Sequence, residues 1–159
     1  MKIELLRDLE AYHAWAMRKV FGLCRTVGRE GLNVKLPLGF GSIVATLQHM
    51  AAAERLWLDR WRENSSLSMP DILEELEAEF CSLATERSSW IEREPSMLAN
   101  DVAYYDIKGN APHQILGDMV IHVLNHAVHH LHRSQVLNML RSSGKTPDAL
   151  DYIVWLRQK

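Results

Sequence analysis

His122-Val-Leu-Asn-His126-Ala-Val-His129-His130-Leu-His132-Arg133 holds five of the chain's eight histidines within eleven residues. No proline or glycine interrupts it, so the stretch reads as helix. Residues four apart on a helix stand one above the other, as His126 and His130 do. Two imidazoles so placed can hold one metal ion from a single rigid element, the geometry that the i,i+4 pair of H-E-x-x-H zinc sites also uses. A solvated histidine-rich face is the alternative, and helical phase separates the two. With Val123 as origin and roughly 100° per residue, Leu116, Met119, Val120, Ala127 and His130 share its sector and His126 lies at the edge. His122, His129 and His132 point further away. Inward imidazoles need partners for their ring nitrogens, and a shared metal would satisfy both at once.

Length and composition set the frame for that site. A chain of 159 residues suits a single domain, 1–159, with one sizeable core. Its 47% apolar and 24% charged residues describe a globular protein and exclude a disordered one. A net charge of -2 gives no reason to expect nucleic acid or an anionic membrane as partner. No apolar run reaches the length of a membrane span, and the N-terminus lacks a basic flank followed by an apolar segment. The expectation is a cytoplasmic protein. Cys24 and Cys81 lie far apart in helical patterns and read as a buried, reduced pair.

Around the histidine stretch the chain divides into helices. Leu5, Leu9, Tyr12, Ala16, Val20, Leu23 and Val27 mark an apolar face over residues 3 to about 28, with Gly28 and Gly31 as stop signals. Ser42 is the expected N-cap of a second helix that runs to about Asn64. Its stripe is Ile43, Leu47, Met50, Trp57 and Trp61, and beside it stand Ala45, His49, Ala52, Ala53 and Leu56. His49 among alanines has room around its ring; taken alone it reads as a core histidine with a hydrogen-bond partner. A third helix follows Pro70, with Ile72, Leu76, Phe80, Leu83, Trp90 and Ile91 inward, and ends at Pro95. Residues 101–109 suit a short extended segment or hairpin. The long histidine-bearing helix then spans Ala111 to about Ser142, stopped by Gly144 and Pro147. Leu150, Ile153, Val154 and Leu156 form a helical tail. The fold expected is all-α: a four-helix bundle with a short C-terminal helical segment, a scaffold whose metal sites are built from inward side chains on facing helices.

These residues resemble a family. Gly39-Phe-Gly41-Ser-Ile43, Thr46-Leu-Gln-His49, Glu54, Trp57 and Leu58 are similar to the second helix of DinB/YfiT-like proteins. His122-Val-Leu-Asn-His126-Ala-Val-His129-His130, Arg133-Ser-Gln135 and Met139-Leu140-Arg141 resemble their last bundle helix. Gly144, Pro147, Leu150 and Asp151 look like the turn into their C-terminal segment, and Tyr12-His-Ala-Trp15-Ala fits their first helix more loosely. The resemblance implies a homodimeric bundle with a divalent metal on three histidines, which fall here on His49, His126 and His130. It implies zinc first, with nickel, iron or manganese as alternatives. Relatives of this kind include bacillithiol S-transferases and mycothiol-dependent maleylpyruvate isomerases, which bind a low-molecular-weight thiol at the metal.

One departure from the family pattern stands out. Its usual Asn-His-x-x-His-His-Arg-(Gly/Ser)-Gln is interrupted here by Leu131-His132 before Arg133. Two extra residues rotate everything beyond by roughly 200°, and Val136, Met139 and Leu140 are indeed out of phase with the stripe that ends at His130. Making His132 the second ligand would put Val128 four residues before it, and valine cannot coordinate, so His126 and His130 remain the pair. A π-type bulge or short looped-out segment between His129 and Ser134 would restore the phase. The insertion leaves open where Arg133, Ser134 and Gln135 lie relative to the metal.

Three neutral imidazoles leave at least one coordination position open, as catalytic zinc sites do. The function expected is that of a metal-dependent enzyme activating a thiol or water, of thiol S-transferase or hydrolase type. The alternatives are a metal-binding or stress-response dimeric module without turnover, and a dimer braced by its metal through a fourth protein ligand such as His122 or His13. Glu54, five residues from His49, is on a different face and is no obvious general base. Asn125 and His129 are candidates to support the ligands from outside, and no catalytic residue is assigned.

Overall fold

The computed structural model describes residues 3–62, 70, 72–104, 106, 108–132 and 135–159. Helix α1 (Ile3–Arg25) gives way at Gly28, where φ of 80° suits glycine, to a short α2 (Arg29–Asn33). Gly31, expected as a second stop, lies inside α2. Helix α3 (Ile43–Arg62) begins at Ser42, whose Oγ accepts the Ala45 N–H at 3.1 Å, the N-cap bond expected there. Helix α4 (Leu73–Arg93) stops before Pro95, which opens a 3₁₀ turn over Pro95–Ala99.

Strands β1 (Asp101–Ala103) and β2 (His113–Ile115) pair antiparallel, with Val102 opposite Gln114. The extended segment expected over 101–109 thus pairs at its start, but its partner strand occupies residues that the apolar pattern assigns to the last long helix. That helix, α5 (Leu116–His132), begins at Leu116 rather than Ala111, because the Leu116 N–H is taken by the Asn100 carbonyl at 2.9 Å. Nor does it continue to Ser142. A separate α6 (Val136–Ser142) follows, preceded by Gln135 at φ −99° and ψ −83°. Val136, Met139 and Leu140 are all buried in α6, so the second apolar set does reach the core. The backbone at Arg133 and Ser134, where the bulge is expected, lies outside the described residues. Gly144 closes α6: its N–H bonds to the Arg141 carbonyl and the Lys145 N–H to that of Leu140, a Schellman pattern. Helix α7 (Tyr152–Leu156) is the short C-terminal segment, held by the Tyr12 hydroxyl donating to the Leu150 carbonyl at 2.6 Å.

The bundle is the all-α one expected. Helices α1 and α3 each pack against both α4 and α5, so α1 and α3 face each other across the diagonal. Two apolar clusters fill the interior. One joins Phe21, Leu47, Phe80, Leu131 and Met139; the other joins Leu6, Leu58, Leu83, Trp90 and Val120. Between them runs a polar layer. Arg87, with no exposed surface, donates to both oxygens of Glu10 at 2.5 and 2.9 Å and to Glu54 at 2.8 Å. Glu54 accepts a further bond from His13 Nε2 at 2.9 Å. Three helices are thereby tied at one level, α1 by Glu10 and His13, α3 by Glu54, α4 by Arg87.

This layer bears on the expected face of α1. Leu5, counted in that face, is 47% exposed; Leu56, in the stripe beside the core stripe of α3, is 41% exposed, and Ile72, expected inward, is 42% exposed. Tyr12, Ala16 and Val20 of the expected α1 face are buried, and the core face extends beside them over Leu6, Glu10, His13, Met17 and Phe21, whose two polar members break the apolar spacing. Cys24 is buried as expected, whereas Cys81 is exposed, and both are free thiols. Among the described residues no helix is long and apolar enough to cross a membrane.

Burying a guanidinium and two carboxylates is tolerable only while each satisfies the others. Burial alone would raise the Glu54 carboxyl, but His13 and Arg87 more than offset it and hold it down to about 2. Replacing Arg87 by Leu strands two buried carboxylates, and urea denaturation should show a loss of about 3–5 kcal/mol. A loss below about 1 kcal/mol would contradict the layer as described.

Candidate metal centre

Helix α3 supplies His49 and helix α5 supplies His126 and His130, and the packing of α3 on α5 brings the three rings together. Ring centroids lie 4.4 Å apart for His126 and His130, 4.9 Å for His49 and His130, and 5.6 Å for His49 and His126. One nitrogen from each falls within 4.8 Å of the others. Among the described residues this is the group of histidine, cysteine or carboxylate side chains close enough to share an ion, and it stops at three.

The ring nitrogens face in a usable direction. His126 Nε2 and His130 Nε2 are 3.0 Å apart. Two nitrogens each about 2.0–2.1 Å from a tetrahedral ion would be separated by about 3.3–3.4 Å, so the pair need open by only a few tenths of an ångström and give up the proton between them to share it. The other nitrogen of His130, Nδ1, lies 2.5 Å from Gln135 Oε1. A carbonyl oxygen accepts, so Nδ1 carries the proton and Nε2 presents its lone pair to His126. Gln135 thus fixes the tautomer a ligand needs, which the residue spacing left open.

Electrostatics favour the neutral forms. Burial, then the neighbouring His130, His49 and His122, push the His126 imidazole down to about 4. Burial and His130 lower His49 as well. Neutral imidazole is the form that binds metal, so protons compete weakly near pH 7.

The wall beside His49 comes from the preceding loop. Phe40 stacks on the His49 ring at 3.8 Å between centroids and 22° between planes, and its ring lies 5.8 Å from His130. Its N–H donates to Thr46 Oγ1 at 3.3 Å, while Thr46 itself donates to the Ser42 carbonyl. Gly39 allows this approach. It has φ of +52°, and a Cβ there would meet Thr46 Oγ1 at 2.9 Å and Met139 Cε at 3.0 Å. A side chain there would have to displace the Thr46 hydroxyl and the tip of Met139, and would be strained by the positive φ.

Other candidates are placed elsewhere. His13 is engaged by Glu54 across the bundle and is not a fourth ligand. His122 is exposed and rests its ring edge on Trp57, 5.7 Å away, outside the three-histidine group. Asn125 is exposed and lines a different cavity, of about 410 Å³, with Tyr12 and Tyr152. His129 is exposed, its ring perpendicular to that of His130 at 5.3 Å. Glu54 has its carboxylate committed to His13 and Arg87, in keeping with its exclusion as a general base. Arg133 and Ser134, and the side chain of His132, lie outside the described residues.

A four-helix bundle with three convergent imidazoles on facing helices defines the class: a helical-bundle protein with a histidine site suited to a metal ion. The chain belongs to the DinB family, whose model matches residues 1–158. No curated protein matches the chain at a significant level.

Proposed function

We propose that the protein binds one divalent ion, zinc in the first instance, through His49, His126 and His130, and acts as a metal-dependent enzyme of thiol-transfer or hydrolytic type. The observation that carries this is the convergence of three imidazole nitrogens within 4.8 Å, stopping at three among the described residues. A bound ion with open positions supplies Lewis acidity that lowers the pKa of a thiol or water. The protein's own contribution is to hold His130 in one tautomer through Gln135, to keep His126 and His49 neutral, and to shield the His49 side with Phe40. Nickel, iron or manganese fit the same nitrogen donors.

A non-catalytic metal-binding or stress-response module is the second possibility. It is favoured by one observation: the buried carboxylate nearest in sequence to the ligands, Glu54, is occupied by His13 and Arg87 and cannot take a proton from substrate.

Purified protein should carry roughly one ion per chain, and His126→Ala should lose most of it by elemental analysis. Gln135→Leu should keep the ion with affinity lowered by about 10–100-fold. Full metal content in His126→Ala would reject the assignment. The resemblance that implies the metal also implies a homodimer, which we propose here together with a cytoplasmic location. Sedimentation at micromolar concentration should give a species near twice the 18.3 kDa chain mass, and a monomer throughout would refute it.

A further inference from the structure

We infer that the cavity between α1, α5 and α7 seats a small organic amine, its ammonium held by Asp151 beside the rings of Tyr12 and Tyr152. The cavity, of about 410 Å³, is large enough for a compact ligand. Ile121, Leu124, Asn125 and Val128 line it from α5. At roughly 100° per residue, their mean direction lies about 150–170° round the helix from His126 and His130. The two sites thus occupy opposite flanks of one helix, and the amine seat does not depend on a metal.

The lining sets the chemistry. Leu9, Ile121, Leu124 and Val128 give the cavity an apolar wall, against which the body of a ligand can rest. Tyr12 and Tyr152 meet edge to face at 5.2 Å and 84°. The Tyr12 hydroxyl is donated to the Leu150 carbonyl at 2.6 Å, which fixes its ring beside the cavity. The aromatic cluster continues into Trp155, whose centroid lies 5.4 Å from that of Tyr152. One cation already rests on this cluster, with Lys159 Nζ 5.2 Å from the Trp155 centroid.

Asp151 is the one carboxylate in the lining, no lysine or arginine lines it, and among the described residues Asp151 has no ion-pair partner. It is exposed, so it stands at the solvent edge, yet its charge is felt inside: after burial, Asp151 is what holds the Tyr12 phenol up at about 12. Deeper in, His13 Nε2 donates to the ionised Glu54 carboxylate, which leaves Nδ1 an acceptor. That Nδ1 is buried without a partner among the described residues, and such an acceptor calls for a donor. It lies covered by the wall, so Asp151 is the anchor and His13 a deeper acceptor. A carboxylate, an unpaired acceptor and two aromatic rings, with no positive charge among them, suit an ammonium and disfavour an anion. An exposed ion pair alone contributes little; the rings and the apolar wall supply the rest.

The test titrates the full-length protein, as purified and zinc-loaded, with 2-phenylethylammonium and its neutral isostere 2-phenylethanol, read by calorimetry. The wild type should bind the ammonium at least about tenfold more tightly than the alcohol at about 0.1 M salt. Asp151→Asn should cut that preference to within about twofold while the alcohol's affinity stays unchanged, which shows the cavity intact. Val128→Trp fills the cavity and should weaken both probes at least about tenfold. Equal affinity for the two probes in the wild type overturns the inference, as does a preference that survives Asp151→Asn or binding that Val128→Trp leaves untouched. A preference that grows with zinc loading places the amine on the ion instead, and overturns it too.

Discussion

Arg87 sits fully buried in the middle of the bundle with two carboxylates, and the rest of the interior is arranged to make that bearable. Removing three charges from water costs more than any one apolar contact returns, unless every donor and acceptor finds its partner. The positions of Glu10 on α1, Glu54 on α3 and Arg87 on α4 are therefore coupled: a shift of one helix along its axis by a turn would separate charges that have no water to replace their partners. The layer interrupts the apolar core, which divides above and below it. On α5 the same gap between clusters, after Leu124 and before Ala127, is where His126 stands. The charge network and the histidine site thus share one level, and Glu54 is close enough to act against the lowering of the His126 pKa.

That arrangement shapes what the histidines can do. A site on two helices is only as accurate as their packing, and the layer sets the register of α3 that carries His49. Gln135 then orients His130 from a bend between α5 and α6, while Phe40 closes on His49 from a loop that Gly39 lets come near. Two separate segments thus bear on His130 and His49, which is the kind of support that keeps a ligand's lone pair pointing at a metal.

Much of this was readable in the residues. The i,i+4 pair His126 and His130 sits on the apolar phase of α5, and Ser42 and Gly144 mark ends that their hydrogen bonds confirm. His49 needed the resemblance, since an alanine-flanked histidine is ambiguous by itself. Misreadings cluster where polar residues are buried. Glu10 and His13 stand in the Leu6–Met17 stripe of α1, so apolar spacing alone favoured a neighbouring face that included exposed Leu5. Arg87 carries no mark of burial in a stretch of Thr, Glu and Ser. The start of α5 was missed because strand pairing and the Asn100 carbonyl, both distant in sequence, claim residues 113–116. Gln135 was legible as a family residue, but its contact with His130 depends on where α6 begins, and the expected distortion between His129 and Ser134 does not fix that by spacing alone.

The central claim is that three imidazoles, and no other protein group, hold one ion with coordination left open. X-ray absorption at the metal edge of zinc-loaded protein tests it most directly. The account predicts nitrogen or oxygen neighbours at about 2.0–2.1 Å, imidazole scattering that fits three rings, and no sulfur shell at about 2.3 Å. Scattering from four imidazoles, or a sulfur neighbour supplied by Cys24 or Cys81, would contradict it.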